Sequence, residues 1–435
     1  MRHPSSLAVT YQTTVAQLSP AAAEFFRVIA WFAPDPIPFS ALEGRHAPPA
    51  ARALLAELEN LSLARRDAAG TSFTLHRLVQ EITRQQQSAP PPPPTLLVAL
   101  KWLHGLFSYQ ADDIRTWPVA EPLAPHTHAA ALHAAAHNIP EPTAGLLNRV
   151  ALLYKAKARH DAAEPLMRQA LAIDEATFGK DDPAVATDLN NLALLLKDTN
   201  RLAEAESLLR RALSIDEAAP AKDHPNISRD LINLAQVLYI TNRLDEAEAL
   251  VRRALAIDEA TYGKNHPTFA TSLNSLATLL MSTGRLDEAE AHYRDVLAID
   301  EAVLGKDHPK VAIVLNNLTL LLCESKRFTE AEPLTRRALA IDEAHFGMVH
   351  PQVAIHLRTL ASVLQKTNRH ADAEPLMRLA LEIYVEFTRT TGHEHSHLTE
   401  ACENYSLLLE AMGDTPAQIE EKLARLLAHL RPAGP

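Results

Sequence analysis

The sequence predicts an all-α protein built as a helical solenoid with a small separate domain in front of it. Three observations carry this. The motif Arg-Ala-Leu-Ala-Ile-Asp-Glu-Ala recurs with small changes and places its Asp at positions 174, 216, 258, 300 and 342, a step of 42 residues. A fixed step of that size marks stacked supersecondary units that bury a continuous core only together. One proline per unit, at 183, 225, 267, 309 and 351, stands immediately before an amphipathic stripe, and 12 glycines against 29 prolines is the profile of a helical chain with built-in stops.

The chain opens on a region without repeats, residues 1–88. Ser19 followed by Pro20 reads as an N-cap with proline at the first helical position, starting a helix through Phe32. Pro34 to Pro38 reads as a turn and Ala51 to Asn60 as a second helix. Ser62 to Arg66 with Ser72 to Leu75 reads as a short hairpin, and His76 to Gln86 as a closing helix. Helices followed by such a hairpin make a winged helix. Pro90 to Pro94, within a linker at 89–95, are expected to form a stiff polyproline spacer that holds its flanks apart. Residues 96–142 read as a helical connector. In it, His133 and His137 lie four apart on an Ala-rich helix, read as a solvated face with no third metal ligand.

Residues 143–390 hold about six repeats. Each begins with a helix A, such as the one after Pro183, whose Val185, Leu189, Leu192, Ala193 and Leu196 follow helical spacing. Asp182 is its N-cap, and His224, His266, His308 and His350 replace that Asp in later units. After a turn such as Thr199-Asn200-Arg201 comes helix B, with acidic residues first and Arg210-Arg211 further along, as the helix dipole favours. Small Ala205 and Ala212 allow close approach of helix A. Most copies stop at an aromatic or Leu followed by Gly, as in Phe178-Gly179, Tyr262-Gly263 and Leu304-Gly305, which predicts a left-handed C′ glycine. At Pro220-Ala221 that signal is lost, so helix B should end early there. Residues 391–435 read as a degenerate capping repeat and tail.

Leu-Asn-Asn-Leu-Ala in helix A and Arg-Leu-x-Glu-Ala-Glu-x-x-x-Arg-Arg-Ala-Leu in helix B resemble tetratricopeptide repeats (TPRs). The 42-residue step and the Gly-Lys-Asp-His-Pro link resemble the kinesin light chain subtype. The resemblance is strongest over 160–390 and implies a right-handed superhelix with the A helices lining its concave face. On that face the 42-residue register gives Asn191, Asn233, Ser275, Asn317 and Thr359 in one row, and Asn190, Ile232, Asn274, Asn316 and Arg358 in the next. With Arg229 these form a polar ladder suited to the backbone of an extended peptide, because a primary amide both donates and accepts. The same side chains could instead bond between neighbouring helices.

A second resemblance covers the front of the chain. Leu-Ser-Pro, Ala-Pro-Asp-Pro-Ile-Pro and Leu75-His76-Arg77-Leu78-Val79-Gln80-Glu81 resemble the winged-helix domain of bacterial STAND (NB-ARC) signalling ATPases. Asp113-Ile-Arg-Thr-Trp-Pro118 and Leu123-Ala-Pro-His126 resemble the connecting segment of the same proteins. The resemblance implies a histidine at His76 that touches the β-phosphate of bound ADP. No GxxxxGK[ST] loop occurs, and the Gly-Lys pairs at 179, 263 and 305 are each followed by Asp or Asn. Without a phosphate site, His76 is expected to be a packed histidine at a helix start, or a nucleotide sensor acting in trans. The chain thus reads as the sensor half of a STAND protein, whether truncated, split or free-standing.

Composition narrows the partners. A formal charge of −11 and near-balance within residues 1–88, with eight basic against seven acidic side chains, disfavour nucleic acid. Two distant cysteines, Cys323 and Cys402, indicate neither a disulfide framework nor a zinc site. His393-Glu394-His395-Ser396-His397 lacks HExxH spacing and falls in register on His350-Pro351, so it is expected to be a worn inter-repeat link rather than a metal site. With no apolar leader or membrane-length run, a cytoplasmic location is expected. The expected function is a protein- or peptide-binding sensor or scaffold without an enzyme activity, cofactor or metal. The alternatives are a nucleotide-switch subunit working with a separate ATPase domain, and a DNA-binding regulator. The absence of a phosphate-cradling loop predicts that the isolated chain neither binds nor hydrolyses ATP; tight binding in calorimetry would contradict it.

Overall fold

The computed structural model describes residues 11–43, 48–87, 92–107, 109, 114–219, 224–392 and 394–428. These divide into two compact units, Met1–Leu192 and Ala193–Pro435.

In the first unit Ser19 caps the helix Pro20–Ile29 as expected, its Oγ accepting from the Ala22 N–H at 3.2 Å. Helices Phe39–Glu43, Pro48–Asn60 and Arg77–Gln87 follow, and the strands between them form a three-stranded antiparallel sheet. Ala64–Arg66 pairs with Ser72–Leu75 as the hairpin signal indicates. Ile37–Pro38, expected to be part of a turn, is instead a third strand opposite Phe73 and Ser72. Its proline is tolerated because an edge strand need not donate on both sides.

The proline segment does not hold its flanks apart. Pro90 and Pro91 lie outside the described residues, and Pro94 begins the helix Pro94–Leu106. That helix packs on Pro20–Ile29: the Trp31 indole N–H donates to Thr95 Oγ1 at 2.9 Å, and the Trp102 ring lies 5.3 Å from that of Phe32. Burial of large aromatic area outweighs the stiffness of a short spacer. His133 and His137 are likewise not on a solvated face. Their rings stand edge-on to Trp31 at 5.4 and 6.0 Å, and burial pushes the His133 imidazole down to about 4.

From Thr143 onward the chain is a succession of helix pairs. The A helices are Thr143–Ala156, Pro183–Asp198, His224–Ile240, Pro267–Ser282, Pro309–Glu324 and Pro351–Lys366. The B helices are His160–Phe178, Leu202–Ala218, Leu244–Tyr262, Leu286–Leu304, Phe328–Phe346 and His370–Thr391, with Leu398–Ala411 and Pro416–Leu427 as a last pair. Ala205, Ala247, Ala289, Ala331 and Ala373 are fully buried at one register position, where only a methyl fits between packed helices. The copy ending at Ala218 has 17 residues against 19 in its neighbours, the early stop expected before Pro220, which itself lies outside the described residues.

The link between repeats is more exacting than a left-handed cap. Gly263 has φ 81 and ψ 167, an extended mirror conformation open essentially to glycine alone. The bend lays His266 flat on Tyr262, ring centroids 4.4 Å apart, and His350 stacks on Phe346 at 4.3 Å in the same way. Each histidine then caps the next A helix. Nδ1 of His266, His308 and His350 accepts from the backbone N–H two residues on at 3.1–3.2 Å, as Asp182 Oδ1 does from Ala184 at 2.9 Å. His395 repeats both contacts, stacking on Tyr384 at 4.5 Å and accepting from the His397 N–H.

Two polar systems join successive repeats. On the outside, a Glu in each of four successive B helices binds one Arg of its own helix and one from the next repeat. Glu206 holds Arg210 and Arg243, Glu248 holds Arg252 and Arg285, Glu290 holds Arg294 and Arg327, and Glu332 holds Arg336 and Arg369. On the inside, the repeated Asp is buried: Asp216, Asp258, Asp300 and Asp342 are at most 5 % exposed. Its partner comes mainly from the following A helix and changes each time. Arg229 reaches Asp216 at 3.4 Å and Asp230 at 3.0 Å; Ser228 and Ser272 donate to Asp258 at 2.8 and 2.5 Å; His356 Nε2 meets Asp342 at 2.9 Å. Asp300 meets Val314 at that register, and burial raises its carboxyl while Lys310 and His308 pull it back.

Leu234 is fully buried in the middle of the array. Leu234→Ala is expected to cost about 2–5 kcal/mol and, since each repeat touches its neighbours, to split denaturant unfolding into parts; a single unchanged transition would contradict this. The histidine link gives a second expectation. Burial, with His397 and Arg358 adding to it, pushes His395 down to about 4, whereas an unfolded histidine titrates near about 6.5. Between those values the unfolded state binds more protons, so stability falls as pH drops through the window. His395→Asn keeps a cap acceptor and cannot titrate, so its urea midpoint should fall less steeply than that of the wild type; equal slopes would count against the assignment.

Candidate protein-binding site

The A helices expose a broken polar and apolar face between the buried stripes, and the second unit carries most of the residues expected there. Two concavities fall on it. One, of ≈ 190 Å³, is lined by Ile232, Gln236, Tyr239, Asn274, Ser275 and Thr278. The other, of ≈ 790 Å³, is lined by residues including Leu320, Cys323, Arg358, Thr359, Glu400 and Asn404. Asn274, Ser275, Arg358 and Thr359 are therefore on cavity walls. Ile313 and Leu320 are 49 % and 41 % exposed on one helix, so the face has an apolar stretch between its polar rows.

Several expected contacts are occupied by the fold itself. Asn190, in the first unit, is 2 % exposed and donates to the Ala186 carbonyl, which removes it as a ligand contact; its row turns inward where Asn191 remains half-buried. Arg229 serves the buried Asp216 and Asp230. Asn316 Oδ1 meets His356 Nδ1 at 3.4 Å and so extends the His356–Asp342 chain. Asn317 donates to Asn274 Oδ1 at 3.0 Å across the repeat boundary. Arg358 pairs with Glu400 at 2.6 Å. The inter-helix role of the amides is thus real, but one such bond does not exhaust a primary amide, and Asn233, Asn274 and Asn317 all stay half-exposed. Ser275 and Thr359 bond back to the Thr271 and Ile355 carbonyls at 3.1 and 3.0 Å, as hydroxyls on helices commonly do.

Sequence reasoning missed Tyr239 and Cys323 as wall residues. Tyr239 is 39 % exposed and accepts from Ser282 Oγ at 3.0 Å. Burial pushes the Cys323 thiol up, leaving it a small apolar surface. The signal was available in the register, since Tyr239, Met281, Cys323 and Gln365 form one row. His76 is not packed but exposed, and its Nδ1 accepts from the Leu78 N–H at 3.2 Å as the cap of Arg77–Gln87. No helix among the described residues is long and apolar enough to cross a membrane.

Comparison with solved structures finds helical-repeat proteins. A Signal Transduction ATPase with Numerous Domains (STAND) protein with a tetratricopeptide repeat sensor from Pyrococcus horikoshii is 16% identical, with a TM-score of 0.59 over 95% of this chain and 57% of its own. BtubC (BKLC) from P. vanneervenii is 24% identical over 53% of this chain and 91% of its own, TM-score 0.43. The Podosopora anserina protein with nearly identical kinesin light chain TPR-like repeats is 22% identical over 48% and 99%, TM-score 0.40. Comparison with curated proteins gives no match. The tetratricopeptide repeat family model matches residues 142–218, 189–260, 268–344 and 320–386, more than half of the chain, which therefore belongs to the tetratricopeptide repeat family and has a scaffold for protein–protein interaction.

Proposed function

We propose that the chain is a non-catalytic sensor or scaffold that captures extended peptide segments of partner proteins on the A-helix face of residues 193–435. The observation that carries this is the coincidence of register and concavity: the rows predicted to meet a ligand supply Asn274, Ser275, Arg358 and Thr359 to the two cavities. Amides and hydroxyls spaced by one repeat can exchange hydrogen bonds with a peptide backbone, while Tyr239, Ile313 and Leu320 offer apolar contacts that select side chains. We further assign the chain to a STAND-type system, as the part that senses. The likeness of fold to the Pyrococcus horikoshii STAND protein extends over 95% of this chain, which supports reading residues 1–88 as a winged-helix domain and 96–142 as a connector. The exposed position of His76 keeps a second reading in play, a subunit that completes a nucleotide site on a separate ATPase domain.

Losing one neutral hydrogen bond to a peptide typically costs about 0.5–1.5 kcal/mol, so single changes should be small and combined ones should add. Asn233→Ala, Asn274→Ala and Asn317→Ala together remove both members of the inter-helix amide pair and leave neither orphaned. The triple variant is expected to lose partner capture in a pull-down while its helicity and melting stay near wild type. Full retention of partners would move the site away from this face.

A further inference from the structure

A repeat that caps a solenoid turns a polar face outward, because no neighbour covers it. The last described helix pair does not. Five B helices each bury an alanine four residues after the N-cap arginine, from Ala205 after Arg201 to Ala373 after Arg369. Four residues after the N-cap Thr415 stands Ile419, too large for a space that a methyl fills, and it stays half-buried. With Leu423, Leu426 and Leu427 it leans on the core of the preceding helices, yet Pro416–Leu427 buries none of its side chains. From Leu202–Ala218 onward every other B helix is covered by the A helix that follows it, and Pro416–Leu427 has no such cover among the described residues. A groove of ≈ 590 Å³ is left along it, with Pro416, Ile419, Leu423 and Leu427 on one helical face as its floor.

The rim of this groove is acidic. Glu410, Asp414 and Glu420 line it, and no basic side chain does. Lys422 holds Asp414 and Arg425 holds Glu421, which engages both cations of the last helix, while Leu398–Ala411 contains no Lys or Arg. Glu410 and Glu420 are exposed and have no cationic partner among the described residues. We propose that the groove docks an amphipathic helix of a partner protein, apolar on one face and flanked by Lys or Arg, which covers Pro416–Leu427 as a following A helix covers the other B helices. Side chains spaced by three and four residues form ridges that pack into those of another helix, and the apolar floor takes its anchors. The rim selects a basic flank over an acidic one. A second copy of this chain presenting the same face would set these carboxylates against their own kind, so the charge pattern calls for a different chain.

This docking surface is independent of the Asn233, Asn274 and Asn317 face. The test is fluorescence anisotropy with three labelled peptides, each about four helical turns long. One has leucines along a single helical face and lysines on the other, the second has glutamates in place of the lysines, and the third is a scramble of the first. The wild type is expected to bind the lysine helix on the order of tenfold more tightly than either of the others, the scale of two rim ion pairs gained against two repulsions. Glu410→Lys with Glu420→Lys, both at exposed positions, should reverse the preference between the lysine and glutamate helices and melt near wild type. The Asn233, Asn274 and Asn317 triple variant should bind as the wild type does. No binding, equal binding of the three peptides, or a preference that survives the charge reversal overturns the proposal. So does a dimer in sedimentation velocity that Leu423→Ser dissociates, which would make a second copy the occupant. Binding of the lysine helix that appears only once residues 429–435 are removed would make the chain's own tail the occupant and overturn it as well.

Discussion

One buried carboxylate per repeat governs what each junction between helix pairs can be. An ionised group withdrawn from water costs several kcal/mol unless paired and hydrogen-bonded, so the Asp in the Ala-Ile-Asp-Glu-Ala motif obliges its surroundings to answer it. The answer lies 14 residues later, or beside that position: Arg229 with Asp230 for Asp216, Ser272 for Asp258, His356 for Asp342. Where the register brings Val314, no polar partner is offered from that position, and burial raises the Asp300 carboxyl. The repeats look alike on the page yet are not interchangeable, because a junction transplanted between them would bring an Asp without its partner.

The sequence made the helix pairs legible because their apolar stripes repeat with little drift, and the Pro and Gly positions mark both ends. Local chemistry was read less well where a side chain does two jobs. The histidine before each helical proline was seen as a replacement for Asp182, but not as an acceptor held by a stacked aromatic four residues upstream. The spacing Tyr262 to His266 carries that signal. Ile37–Pro38 reads as a turn because proline-rich runs usually are, while the pairing of Ile37 with Phe73 depends on a residue 36 positions further along that local patterning does not reveal. Tertiary burial likewise overrode the polyproline reading at Pro94 and the solvated-face reading at His133.

For the candidate site the register names positions but does not say which way each amide turns. Asn190 and Asn191 are neighbours in sequence, and a rotation of about 100° per residue separates a buried position from an accessible one. Asn316 Oδ1 meets His356, whose other ring nitrogen meets Asp342. Packing thus uses part of the hydrogen-bonding capacity of these amides, and Asn233, Asn274 and Asn317 stay half-buried at the face.

The outer carboxylates that hold one arginine of their own helix and one of the next have a different bearing on behaviour. Their inter-repeat contacts, 2.7 to 3.0 Å long, are made by arginines well exposed to solvent. Such pairs contribute about 0–1 kcal/mol each and are screened over about 8 Å at physiological ionic strength. Electrolyte can therefore loosen the coupling between successive helix pairs without touching their apolar interiors. The joints between helix pairs are therefore the salt-sensitive part of the array, and its apolar interiors are not.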